Sequence, residues 1–149
     1  MVKIKNNISF DDNVKEITIN GDPNRVIRFN ASDFSILSRF DEAMKHFADI
    51  DKELKKIKTS KANDWDSIVK MIKFADERLK AETDYIFGYP VADVVFGNMS
   101  PMAPVKGRTI FENFIESAMT YIADTIKEEK KASSERIAKY TKTSKRYSK

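Results

Sequence analysis

The sequence predicts a mainly helical α+β protein: an N-terminal β-hairpin packed on a small bundle of three main helices plus one short helix. Three observations predict it. Two runs near the N-terminus alternate apolar and polar residues around a turn-rich tetrapeptide. Three longer stretches repeat apolar residues at steps of three and four. Proline and glycine punctuate the joints between them.

The hairpin is expected at about residues 14–29. In VKEITIN, Ile17 and Ile19 share a face, and in RVIRFN, Ile27 and Phe29 do the same. Gly21 to Asn24, GDPN, is the turn chemistry between them. Two strands alone are marginal in water, so the hairpin must pack on something. The first long helix is expected at about 31–58, with Asn30 as its cap and Asp33 at its positive end. Phe34, Leu37, Phe40, Met44, Phe47, Leu54 and Ile57 form its apolar stripe, which Asp51 interrupts. TSKAND then breaks the pattern. A second helix, about 64–87, carries Trp65, Ile68, Ile72, Ala75, Leu79 and Ile86 on one face, and Gly88 is its natural stop. A short helix is expected at about 90–96, between Pro90 and Gly97. NMSPMAPVKG, with two prolines and a glycine, reads as loop, and its two methionines make it a candidate contact. The last helix, about 108–126, has the cleanest stripe: Phe111, Phe114, Ile115, Ala118, Met119, Ile122 and Ile126. Residues 1–126 are thus expected as one globular domain. Residues 127–149 are expected as a basic C-terminal helical extension that frays past Tyr140.

Charge is distributed unevenly. The chain of 149 residues nets +4, yet residues 127–149 hold nine Lys or Arg against three Glu, which leaves −2 on the rest. Lys139, Tyr140, Lys142, Lys145 and Arg146 are the candidate contacts of this tail. They suit phosphate and base stacking, and equally a solvated helix end whose cations favour the helix dipole.

Chemistry-bearing motifs are scarce. There is no cysteine, which excludes thiolate catalysis and disulfides. His46 is the only histidine, and a lone helical histidine is ordinarily a surface or packing residue. No phosphate-binding glycine loop and no nucleophile elbow is present. The close carboxylates, Asp49, Asp51 and Glu53, sit among lysines as a solvated helix face does. No enzyme, cofactor or metal is expected. The opening MVKIKNNISF lacks the apolar centre of a signal peptide, and no run approaches the roughly 20 apolar residues of a membrane span. A Phe- and Met-bearing helix face can instead serve as a groove for a partner helix, and Phe34, Phe40, Met44 and Phe47 are the candidates.

ITINGDPNRVIRFNASDFSILSRFDEAMK resembles the start of the tail assembly chaperones of tailed phages and prophages of Gram-positive bacteria. The likeness is carried by Phe29, Asn30, Asp33, Phe34, Arg39 and Phe40. It continues through Phe87-Gly88, the Val95 to Gly97 ending, Phe111, Glu112 and Phe114, and Lys139 to Thr141 with Lys145 and Arg146. Ala31 stands where the family pattern leads one to expect proline. The resemblance implies a non-enzymatic protein of the host bacterial cytoplasm, absent from the mature virion. It would coat the long helical tape measure protein until the tail tube protein polymerises around it and displaces the coat. Self-association into a homo-oligomer is compatible with this role. The rival readings are a nucleic-acid-binding accessory protein acting through the basic tail, and a structural component of the virion tail.

Overall fold

The computed structural model describes residues 6–59 and 64–147, the side chains of 57–59 and 140–147 excepted. The architecture is a two-stranded antiparallel hairpin followed by four helices, with a second, very short hairpin before the last.

Strands β1 (Val14–Ile19) and β2 (Asp22–Asn30) pair antiparallel. Their tip is not GDPN but Asn20-Gly21, with φ of 53° and 73°. Two consecutive positive φ values match the right-handed twist of flanking strands, and Asn-Gly adopts them at low cost. Asp22 pairs with Ile19, and Val26 pairs with Thr18, so Pro23 to Arg25 bulge from β2. The Asn24 amide donates to Asp22 Oδ1 at 2.9 Å within the bulge. The tip therefore lies one residue earlier than the sequence suggested, and Pro23 falls in the bulge, where a residue that cannot donate to the ladder is tolerated.

Helix α1 (Ser35–Thr59) starts four residues later than the sequence suggested. Asn30 is still paired with Val14 in the sheet. The first amide is instead taken by Asp33, whose Oδ1 accepts from Ser35 N–H at 3.0 Å. Phe34 consequently lies in the turn ahead of the helix.

Helix α2 (Trp65–Phe87) has the expected ends. Asp64 accepts from the Asp66 amide at 3.1 Å, and Gly88, at φ 78°, donates its amide to Asp84 O at 2.8 Å. Helix α3 (Ala92–Phe96) is held at both ends by side chains from elsewhere. Asp84 Oδ1 accepts from the amides of Val91 and Ala92 at 2.7 and 2.8 Å. Arg25, from the bulge, donates from Nε to Val94 O at 2.9 Å and from Nη2 to Val95 O. The bulge thus ties the hairpin to the C-terminal end of α3, where carbonyls lack helical partners.

The segment expected as plain loop contains strands β3 (Pro104–Val105) and β4 (Arg108–Thr109), joined by Lys106-Gly107 with φ of 54° and 81°. Helix α4 (Ile110–Tyr147) follows as one element of 38 residues, about 57 Å long at 1.5 Å per residue. Its start is a reciprocal cap: Thr109 N–H donates to Glu112 Oε1 and Glu112 N–H donates to Thr109 Oγ1, both at 3.1 Å.

The core gathers Ile27 and Phe29 of β2, Ile36, Phe40 and Phe47 of α1, Leu79 and Ile86 of α2, and Phe111, Ile115 and Ile122 of α4. Its phenylalanines pack on one another, with Phe47 and Phe111 at 5.3 Å between ring centres and Phe40 and Phe87 edge to face at 6.1 Å. Ile126 is the last residue of α4 in this core, and beyond it the described side chains of α4 are exposed apart from half-buried Glu129.

Candidate interaction surface

The apolar stripe proposed for partner contact is redistributed by the fold. Phe40 and Phe47 are buried in the core, which corrects their expected place in a groove. The reason is that α1 is packed on both α2 and α4, so the face bearing these rings meets other helices of the same chain. Met44 is half-buried against that core. Phe34 alone of the four is open, at 59% exposure, because it precedes the first helical turn. It lines a cleft with Glu129, Lys130, Ser133 and Arg136 of α4. Lys139 is exposed on α4, whereas the side chains of Tyr140, Lys142, Lys145 and Arg146 lie outside the described residues.

A further apolar surface lies where the sequence suggested core. Trp65, Ile68 and Ile72 occupy the same side of α2 as fully buried Ala75, Leu79 and Ile86, yet they are 75, 36 and 44% exposed. The spacing is that of one ridge along a helix. Its exposure follows from the facing helix. In an antiparallel pair the start of α2 meets the end of α1, where Asp51, Lys52, Glu53, Lys55 and Lys56 leave Leu54 as the one apolar residue with a described side chain. The interruption at Asp51 was the sequence signal for this, and the continuous stripe of α2 concealed it.

A second apolar feature is a groove of about 1050 Å³ between β1 and α4. Ile17 and Ile19 form one wall, Phe114 and Tyr121 the other, and Phe96 and Met99 close one end. Met99, one of the two methionines flagged in the loop, is exposed here, while Met102 packs against the core.

The charged side chains are arranged to hold helices together. Glu82 is buried, accepts from His46 across the α1–α2 contact at 2.7 Å, and lies 3.6 Å from Arg78 Nε. Burying a carboxylate is costly without such partners. Arg39 donates to Ser35 Oγ at 2.7 Å and to Ile86 O at 2.8 Å, and pairs with Asp33 at 3.3 Å. The Ser35 hydroxyl donating to Asp33, with the Ser35 amide and the Arg39 guanidinium, holds the Asp33 carboxyl below its ordinary range against a smaller opposing effect of burial. The hydroxyl of Tyr85 donates to Glu42 at 2.8 Å, and that carboxylate pushes the phenol pKa up. Among the described residues no three His, Asp or Glu side chains form a group able to hold a metal ion, and no helix is long and apolar enough to cross a membrane.

No protein-family model, curated protein or solved structure matches the chain.

Proposed function

We propose that this protein is a non-enzymatic phage tail assembly chaperone, which binds the tape measure protein in the host bacterial cytoplasm and keeps it soluble until the tail tube polymerises. The observation that carries the reading is the Trp65–Ile68–Ile72 ridge, a core-type helix face without a cover among the described residues. A tape measure helix carries apolar stripes of its own, which self-associate unless masked. A ridge at helical spacing is complementary to such a stripe, and tryptophan is the residue type that most often dominates an interface. The order of motifs shared with the tail assembly chaperones supports the same partner. The contact must be of modest strength, so that tube subunits displace the chaperone, which is then absent from the mature virion. The cationic end of α4 keeps the coated complex soluble.

The test is co-expression with the tape measure protein encoded by the same phage, followed by pull-down and size-exclusion. The expected result is a soluble tape measure protein that co-elutes with the wild-type chain. It is lost with the Trp65→Ser, Ile68→Ser, Ile72→Asn triple variant, whose circular dichroism stays native. A folded triple variant that solubilises as well as wild type would move the contact away from α2. A wild-type chain that ignores the tape measure protein would sink the function.

A further inference from the structure

We propose that the chain self-associates by strand addition, the N-terminal segment of one copy pairing with the open edge of β1 in the next. Ile8 and Phe10 are 88 and 78% exposed and belong to no element of their own chain. Large apolar side chains on an unpaired terminal segment are a liability unless something covers them. They alternate with Asn7 and Ser9, which is the period of a strand with one apolar face; in the sequence Val2 and Ile4 fall on the same period, with Asn6 between them and Ile8.

A site of matching form lies on the same molecule. The Ala31 amide donates to Asn13 O at 3.2 Å just beyond the strand ends, in register with the Val14–Asn30 pair, and the Arg28 amide turns outward from β2 to donate to the Tyr89 hydroxyl. The alternation of an antiparallel ladder then turns the amides and carbonyls of Val14, Glu16 and Thr18 toward the open edge. Such an edge is a template for another strand. Beside it runs the β1–α4 groove, where Ile17 and Ile19 remain half-buried and Phe114 and Tyr121 form the far wall. An added strand would place Ile8 and Phe10 in that groove.

Charge selects the same occupant. Of the charged residues lining the groove, Arg25 already gives its guanidinium to Val94 and Val95 O, which leaves Glu16 as the charge a docked strand meets. The segment ahead of Asp11 carries Lys3 and Lys5 and no acid. The chain's own copy of the segment does not fill the edge, because the turn at Asn13 (φ 59°), fixed by Asp11 Oδ1 and Ser32 Oγ, leaves Ile8 and Phe10 in solvent. Donor and acceptor are different patches, so the contact is head-to-tail and one copy can both give and receive a strand.

The experiment needs no tape measure protein, so it stands or falls separately from the proposed function. Size-exclusion with light scattering is run on the full chain over a wide concentration range. Two variants accompany it: Ile8→Asp with Phe10→Asp removes the donor, and Ser117→Arg, at an exposed position lining the groove, blocks the acceptor. Both change exposed residues and leave the core intact. Wild type is expected to exceed the monomer mass of 17.2 kDa increasingly with concentration. Each variant alone is expected to stay monomeric, and an equimolar mixture of the two to form a heterodimer and nothing larger. A monomeric wild type, a variant that still self-associates, or a mixture that stays monomeric while wild type assembles would each overturn the proposal.

Discussion

From Ala75 to Ile86 the apolar stripe of α2 is sealed against α1 and the rest of the core, whereas from Trp65 to Ile72 the same stripe stands in solvent. The stripe is apolar in both halves of the helix. The halves differ in what faces them: Phe40, Ala43 and Phe47 in one case, and the charged end of α1 in the other. Periodicity marks the side of a helix that is apolar, while the neighbouring element decides whether that side is covered. A similar contrast divides α4, whose turns up to Ile126 complete the core and whose later described turns project from it.

The largest expected effect tests that division directly. Phe40→Ala should cost about 3–5 kcal/mol in a urea denaturation, because it leaves a cavity among rings that cannot fully collapse. That is a large part of the 5–15 kcal/mol or so that a small domain possesses. Trp65→Ala, despite deleting a larger side chain, should stay within about 0.5 kcal/mol of wild type. Similar losses for the two would mean that the first half of α2 is covered after all, and would remove the basis for treating it as a docking ridge.

A smaller effect separates anchored from unanchored elements. Asp84 accepts from two amides at the start of α3, and α3 in turn receives Arg25 from the hairpin. Asp84→Ala should cost about 1–3 kcal/mol, the usual result of leaving partly buried donors without an acceptor. Asp84→Asn, which keeps one oxygen, should recover part of it. An Asp84→Ala variant as stable as wild type would show that packing of Val95 and Phe96, with the Arg25 contacts, holds α3 without Asp84.

Much of this fold was legible in the sequence, in particular wherever one residue decides a local geometry. Gly88 at the end of α2, the Ile17/Ile19 and Ile27/Phe29 alternation, and the α4 stripe from Phe111 to Ile126 all emerge where the patterns place them. The start of α1 was not legible, because Asn30 and Asp33 are both good caps and the competition is settled by the β-sheet, which keeps Asn30. The tip of the first hairpin was missed for a related reason: GDPN and Asn20-Gly21 overlap at Gly21, and the chain turns at Asn20-Gly21 while Pro23 and Asn24 fall in the bulge. The candidate contact residues fared less well. Phe40 and Phe47 look the same as Phe34 in a helical stripe, and the side of α1 that meets α2 and α4 is a property of the assembled bundle. The open edge of β1 carries no side-chain signature at all, since it consists of backbone groups.

The smallest effect concerns pH, and it falls on the anchored side of the comparison. The folded-state pKa of Asp33 lies below its ordinary value of 3.8, first because the Ser35 hydroxyl donates to it, then through the Ser35 amide and Arg39. A depressed carboxyl pKa contributes stability that is fully present above the unfolded value and is lost as pH falls through the folded one. Urea midpoints measured from about pH 6 down to about pH 2 should therefore show a modest loss at the acid end that Asp33→Asn lacks. The loss is modest because the carboxyl is well exposed to solvent, which screens its charges. Ser35→Ala removes the largest cause of the shift and should move the Asp33 titration, followed by carboxyl-carbon NMR, back toward 3.8. An Asp33 titration unmoved by Ser35→Ala would assign the depressed pKa to the Ser35 amide and Arg39 instead. Either way the Trp65 ridge contains no titrating group, so the proposed partner contact should persist across the range over which the chain stays folded, and a pH-dependent contact would point to the charged end of α4.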